Sequence, residues 1–414
     1  MNQSLGKMDH LPVYAIEAKA ESEESLLQKR FFGFTWVDIG LLAAAVVGLV
    51  PLYVRSGLPF RIDIGGMASA FWLATAAEAI CIAVMLYVIA LPLSETIQPF
   101  LKRLRTNRTL LVMGILIGVC LSLMMGPGLG IMLTVDALAL AELMHRRGAR
   151  FEKSLGDALF PAGYLFCVIL LLYAYNHAIA GIRYAGTFDG VFAKLDTQAL
   201  GIQTSTIAHW GQTHLPGWVF AMLQTSYFGM YGRVGATLIL AALLSGRHDA
   251  VKMVRALLIS YAIAVALFAL IPVKGPYLTC TVPENGHAQS LPVYRTQQAL
   301  VDKMQDLYAH RTAGESGTID LLDYYIGFPS MHAALPLIAM WFIRRWRRVL
   351  AVLLAAYALL LLPSTVLLEW HYGVDLLGGI AVAALSVTLS ESVDLLLARR
   401  AAAVEPLEAV SCEA

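Results

Sequence analysis

Residues 349–396 read VLAVLLAAYALLLLPSTVLLEWHYGVDLLGGIAVAALSVTLSESVDLL, and this stretch decides the fold. From 349 to 368 there is no charged side chain. As a helix, a run of that length crosses about 30 Å of hydrocarbon. A polar turn containing Glu369, His371 and Asp375 follows, and then a second apolar run. The spacing therefore predicts two membrane spans, 349–369 and 372–396, joined by a short turn that carries ionisable groups.

Working outward, eight more apolar segments appear at 35–54, 67–91, 109–126, 129–144, 157–180, 216–245, 255–272 and 328–343. The 216–245 run is long enough to begin above the bilayer. Composition agrees, with 58% hydrophobic and 14% charged residues, whereas soluble domains carry about 25% charged residues. The five cysteines show neither zinc-site nor disulfide-framework spacing. The first 30 residues are polar and acidic, with no apolar core for a cleaved signal peptide. The fold class expected is all-α: a polytopic membrane helix bundle of about ten transmembrane helices. The expected division is a cytoplasmic tail at 1–34, a four-helix membrane region at 35–153, a six-helix core at 154–398 and a second cytoplasmic tail at 399–414. The bilayer, not nucleic acid, is the expected partner.

Basic residues orient the chain. With the N-terminus in the cytoplasm, 21 of the 30 Lys and Arg fall in the tails and in the connections that face inward. They include Lys252 and Arg255 in one connection and Arg344, Arg345, Arg347 and Arg348 in another. Positive residues concentrate on the cytoplasmic side of membrane proteins. Both termini are thus expected inside, in a bacterial inner membrane or a Golgi-type endomembrane. The polar stretches 181–215 and 273–327 fall on the opposite, periplasmic or lumenal side as outer loops, and 273–327 contains no run long enough to fold alone.

Three short segments map to that outer face: Pro272-Val-Lys-Gly-Pro-Tyr277, Gly327-Phe-Pro-Ser-Met-His332, and Ser364 to Asp375. Ionisable groups at membrane depth are costly and by default point to function. His371 and Asp375 are four residues apart, so a helix starting near His371 sets them on one face. A carboxylate beside an imidazole fixes its tautomer and leaves the other nitrogen free to attack phosphorus. His332, at the same expected depth, supplies a general acid. Lys274 suits phosphate neutralisation, although a lysine at a span end also snorkels to headgroups. Tyr277, Trp370 and Tyr372 suit interfacial belt aromatics. Arg233, Glu78 and Asp136 fall within spans and could pair with one another.

Phe-Pro-Ser-Met-His followed by Trp-His-Tyr-Gly-Val-Asp resembles the second and third motifs of the type 2 phosphatidic acid phosphatase superfamily. It is most similar to the inositol phosphorylceramide synthase branch. Pro272–Tyr277 looks like that branch's first motif, and Leu195–Gly201 and Tyr227 look like upstream markers. The resemblance covers roughly 157–396 and leaves the first four helices without a counterpart, in front of a six-helix phosphatase-like core. It implies His371 as nucleophile, Asp375 as its activator, His332 as acid and base, and Ser330 as a phosphoryl contact. Lys274, Gly275, Pro276, Tyr277 and Tyr372 are candidate substrate contacts. It implies a phospholipid donor, a lipid alcohol such as ceramide as acceptor, and neither metal nor organic cofactor. Thr365 stands where the phosphatases usually carry Arg, and Thr281 likewise, which tilts the resemblance from hydrolysis toward transfer. Glu369, two residues before the nucleophile, would repel phosphate unless protonated or turned away.

Overall fold

Apolar runs in lipid must fold as helices, because only then does each segment satisfy its own backbone donors and acceptors. The computed structural model describes residues 36–56, 187–245, 247–278, 292–312, 327–344 and 348–411, with isolated helical positions between 171 and 179. These residues form α1 (Trp36–Ser56), α2 (Asp189–Leu200), α3 (Thr204–His214), α4 (Gly217–Phe228), α5 (Met230–Ser245), α6 (Arg247–Leu270), α7 (Pro292–Thr312), α8 (Met331–Ile343), α9 (Arg348–Leu367) and α10 (Gly373–Ser411). There is no strand among the described residues. Four helices are long and apolar enough to cross a membrane, at Asp38–Arg55, His248–Leu270, Leu350–Leu367 and Gly373–Leu397. Met230–Ala242 and Met331–Ile343 are shorter apolar helices. The chain is a helical membrane bundle.

The bundle is built around α8. Ten of its 13 residues are buried, so it has no polar face to offer and must be ringed by other helices. It packs against α5, α6, α9 and α10, and α10 also packs on α6. Gly379 on α10 allows a close approach to α8, since a Cβ there would strike the Ser330 carbonyl and sit 2.8 Å from the Ala333 methyl. At the far end from the polar turn, Arg255 is 1% exposed and forks onto the Asp38 carboxylate of α1, with Nη2 donating at 3.0 Å. Its Nη1 donates to Asp394 of α10 at 2.7 Å, and Lys252 lies 2.7 Å from the same carboxylate. Removing one partner from such a buried network costs about 3–5 kcal/mol. This network ties α1, the first helix of the N-terminal region, to two helices of the core.

Several expectations change. The 216–245 segment is not one helix: it breaks at Gly229 into α4 and α5, which pack on different partners, α4 on α9 and α5 on α6 and α8. A Cβ at Gly229 would collide with the Arg233 guanidinium, whose carbon lies 4.7 Å from the centre of the Tyr357 ring. Lys252 and Arg255 are not in a connection but on α6, which starts eight residues before the expected span. The 399–414 tail is helical through Ser411 as the end of α10. The stretches 181–215 and 273–327, read as loops, contain α2, α3 and α7, which fold against the bundle rather than alone. The spans expected at 67–91, 109–126 and 129–144, with Glu78 and Asp136, lie outside the described residues.

Candidate active site

The site begins where α9 ends. The N–H groups of Glu369 and Trp370 donate to the carbonyls of Val366 (3.0 Å) and Thr365 (2.9 Å). This pattern closes a helix with one residue in the left-handed region. That residue is Glu369, with φ of 59°. Glycine normally fills this position, and an L-residue held there costs roughly 1–2 kcal/mol. The reversal delivers His371 to the start of α10. The Tyr372 N–H donates to Asp375 Oδ2 at 2.9 Å, as an acid in a helix's first turn does. From outside, the Asp196 carboxylate of α2 accepts the N–H groups of Gly373 and Val374, both at 2.9 Å, and also the Thr204 hydroxyl.

Nδ1 of His371 lies 3.4 Å from Asp375 Oδ2, and its Nε2 lies 3.4 Å from Nδ1 of His332 on α8. All three side chains are buried, with Asp375 and His371 fully so. A proton on Nδ1, facing Asp375, would leave the lone pair of His371 Nε2 directed at His332. The expected meeting of the two histidines and the carboxylate is thus observed. The segments are joined through the backbone as well, since the Ser330 N–H donates to the Asp375 carbonyl at 3.0 Å. Ser330 Oγ is buried and has no hydrogen-bond partner among the described residues. Ser330 starts α8 without a side-chain cap, so the helix presents its positive end here.

The Pro272–Tyr277 segment wraps the same turn. Gly275 has φ of 126°, and a Cβ there would strike the Trp370 carbonyl. The Tyr277 N–H donates to the Glu369 carbonyl at 3.1 Å, and Pro276 opens the short 3-10 turn Pro276–Leu278. The Asp189 carboxylate at the start of α2 accepts the N–H groups of Lys274 and of Gly275, the latter at 2.8 Å. Lys274 is buried and does not snorkel. Burial holds its ammonium below the ordinary lysine range, with nearby Asp189 opposing.

The aromatics are not a headgroup belt. Tyr277, Trp370 and Tyr372 are all buried: the first two cluster with Val293 and Tyr294 of α7, and Tyr372 with Phe192 of α2. Tyr227 stacks on His332 with ring centroids 4.0 Å apart and on Trp370 at 5.3 Å, so one ring bridges two of the motifs. Tyr372 packs with Phe192 and Val273. The Glu369 side chain turns toward Gln212 of α3 and Tyr294 of α7, and burial pushes its carboxyl up to about 7 against the hydrogen bond from Gln212. Gln297 of α7 donates to the Leu368 carbonyl at 2.7 Å.

Asp189, Gln212, Tyr294 and Gln297 were not legible as site residues in the sequence. Asp189 had one usable signal, lying seven residues before Asp196 and hence on the same helix face. The other three sit in stretches read as loops, with nothing local to mark them. No group of three or more His, Cys, Asp or Glu side chains suited to a metal ion occurs among the described residues.

A search of curated proteins and a search of solved structures each gave no match. The family model for the PAP2 superfamily matches residues 192–389, from α2 through α10. That segment holds the catalytic candidates His332, His371 and Asp375 and the candidate phosphoryl contacts Lys274 and Ser330. Residues 192–389, just under half of the chain, are thus similar to the PAP2 superfamily, and that similarity indicates a phosphatase or phosphotransferase enzyme set in a helical membrane protein.

Proposed function

We propose that the chain is a lipid phosphotransferase, moving a phospho-head-group such as inositol phosphate from a phospholipid to a lipid alcohol such as ceramide. The observation that carries this reading is the buried Asp375–His371–His332 line. Nε2 of His371 attacks phosphorus, and the bond from phosphorus to the diacylglycerol oxygen breaks. The departing alkoxide takes the Nδ1 proton of the His332 imidazolium, which is left as neutral imidazole. His332 then accepts the proton of the incoming alcohol, whose oxygen attacks phosphorus and breaks the bond to His371. Asp375 stabilises the imidazolium formed in the first step. Near-attack contacts of about 3–3.5 Å on each side of phosphorus require the two rings to part when substrate enters. Ser330 Oγ and Lys274 are the groups we assign to phosphoryl oxygens, and Gly275, Pro276, Tyr277 and Tyr372 to the walls of the site.

Burial favours transfer over hydrolysis. The reacting groups are buried, with the Tyr227 ring stacked on His332, and a site closed to water protects a reactive intermediate until another acceptor arrives. Glu369 is turned to the far side of the turn, which removes the like-charge conflict with the phosphoryl group. Purified protein given head-group-labelled phospholipid, with and without a lipid alcohol, tests the reading. A new labelled lipid that requires the alcohol supports transfer. Release of water-soluble label at the same rate in both samples means hydrolysis, and no turnover of either kind overturns an enzymatic role on these lipids.

We further assign the active site to the periplasmic or lumenal face, with both termini cytoplasmic and 154–398 acting as the catalytic unit behind the 35–153 region. The asymmetry of basic residues supports this orientation. In a cysteine-free background, a thiol at 285 should react with an impermeant reagent on intact cells and one at 346 should not. The opposite pattern inverts the orientation.

A further inference from the structure

α2 has two working faces. Its inner face carries Asp189, Phe192 and Asp196, all buried. The two carboxylates hold the backbone of Lys274 and Gly275 on one side and of Gly373 and Val374 on the other. A single helix thus clamps both the phosphate-side loop and the start of the nucleophile's helix. On the adjoining face, Phe188, Val191 and Leu195 follow a three- and four-residue spacing and are 41%, 50% and 40% exposed. Lys194, Thr197 and Gln198 occupy a third arc, polar and exposed.

The exposed apolar face is continuous with the sides of two membrane spans. The Phe188 N–H donates to the Pro272 carbonyl at 2.9 Å, just beyond the end of α6, whose last residue, Leu270, is exposed. At the other end Leu200 touches Gly373 at the start of α10, where Leu377 is exposed one turn on. The helix therefore lies at the level where two spans leave the hydrocarbon. It joins the exposed apolar sides of those helices and carries polar groups on one flank. An apolar stripe beside a polar arc on a helix too short to span is the pattern of a helix lying in the plane of the bilayer interface.

We propose that α2 is an interfacial helix seated in the outer leaflet through Phe188, Val191 and Leu195, and that this seat sets the depth at which Asp189 and Asp196 hold the two catalytic loops. Asp189 and Asp196 are positioning residues, and the partner of the outer face is the lipid surface itself. The seat is independent of whether the acceptor is an alcohol or water; only the turnover experiment rests on the proposed lipid chemistry.

The full chain, free of native cysteines, can carry an environment-sensitive fluorophore on Val191→Cys, Leu195→Cys or Thr197→Cys in nanodiscs of phosphatidylcholine. Brominated acyl chains should quench the labels at 191 and 195, and aqueous iodide should quench the one at 197. Iodide quenching at 191 equal to that at 197 overturns the proposal. Shielding of 191 from both quenchers also overturns it, since a protein surface would then cover this face. In the second experiment, Val191→Lys/Leu195→Lys should slow turnover of a bilayer phospholipid by about tenfold, as two cations moved toward the interface would. Hydrolysis or transfer from a soluble aryl phosphate ester in detergent should stay within about twofold of the parent. Equal slowing on both substrates, or slowing on neither, contradicts the depth-setting role, while the quenching result stands apart from any assay of function.

Discussion

The Asp196 carboxylate accepts the N–H of Gly373 at 2.9 Å, across 177 residues of sequence. It thereby caps α10 two residues after His371 and ties the orientation of the nucleophile to α2. Losing charge-assisted hydrogen bonds of this kind costs about 1.5–3 kcal/mol each. Asp196→Ala is expected to lower turnover by about 10- to 100-fold if half or more of that loss reaches the transition state, with little change in KM. Asp196→Asn, which keeps one acceptor oxygen, should recover part of it. Initial rates beside a thermal-unfolding check separate positioning from simple misfolding, in which both variants would lose folded protein together.

His332 is assigned to protonate the leaving alkoxide, so its removal should be felt in proportion to how badly the leaving group needs a proton. His332→Ala should slow a phospholipid donor by about 100-fold or more, within the range general acids supply. An aryl phosphate ester, which leaves unaided, should be substantially spared. Parallel rate measurements on the two donors check this, and equal losses would assign His332 to binding or support.

Two glycines are expected to be intolerant of a single methyl group. Gly275 combines φ of 126° with the Trp370 carbonyl in contact, and Gly379 lies against the Ser330 carbonyl. Gly275→Ala should leave the bundle intact and reduce turnover, because it pushes the Lys274 loop off the nucleophile's turn. Gly379→Ala should lower the unfolding temperature as well, because it separates α8 from α10, and overpacking costs typically about 1–3 kcal/mol. Melting temperature in detergent beside activity distinguishes the two effects.

Glu369 is expected to make stability fall as pH rises. Burial raises its carboxyl from 4.5 to about 7. The folded state therefore holds this proton more tightly than the unfolded chain, and the stability present below pH 4.5 is lost as pH rises through about 7. A tenfold difference in proton affinity is worth about 1.4 kcal/mol, so the loss is at most about 3.5 kcal/mol. Glu369→Gln should flatten the dependence and be the more stable protein at pH 8, as read by thermal unfolding at pH 5 and pH 8. A fall in stability at both pH values would mean that the charge itself is stabilising.

The membrane class, the candidate catalytic trio and the superfamily were legible because each rests on a local signal. An uncharged run of span length, or a His and an Asp one helical turn apart, needs no partner to be recognised. The Gly229 break was only half legible, since a glycine in an apolar run reads as tolerated until its collision with the Arg233 guanidinium and the different partners of α4 and α5 are seen. Tyr277, Trp370 and Tyr372 misled for a related reason. Aromatics at span ends usually meet headgroups, and it is packing by α2, α4 and α7, two of them hidden in polar stretches, that buries these. Asp189 and Gln297 act on backbone groups 85 and 71 residues away, and such contacts leave no mark in a single sequence.

The claim that transfer passes through His371 is tested most directly by trapping the intermediate. Full-length protein is mixed with head-group-labelled phospholipid without acceptor, quenched at alkaline pH, where phosphoramidates survive, and mapped by mass spectrometry. The expected result is a phospho-head-group on His371, absent from folded His371→Ala and discharged when a lipid alcohol is added. Product formation by folded His371→Ala at the wild-type rate, with His371 of the parent protein never labelled, would contradict the mechanism.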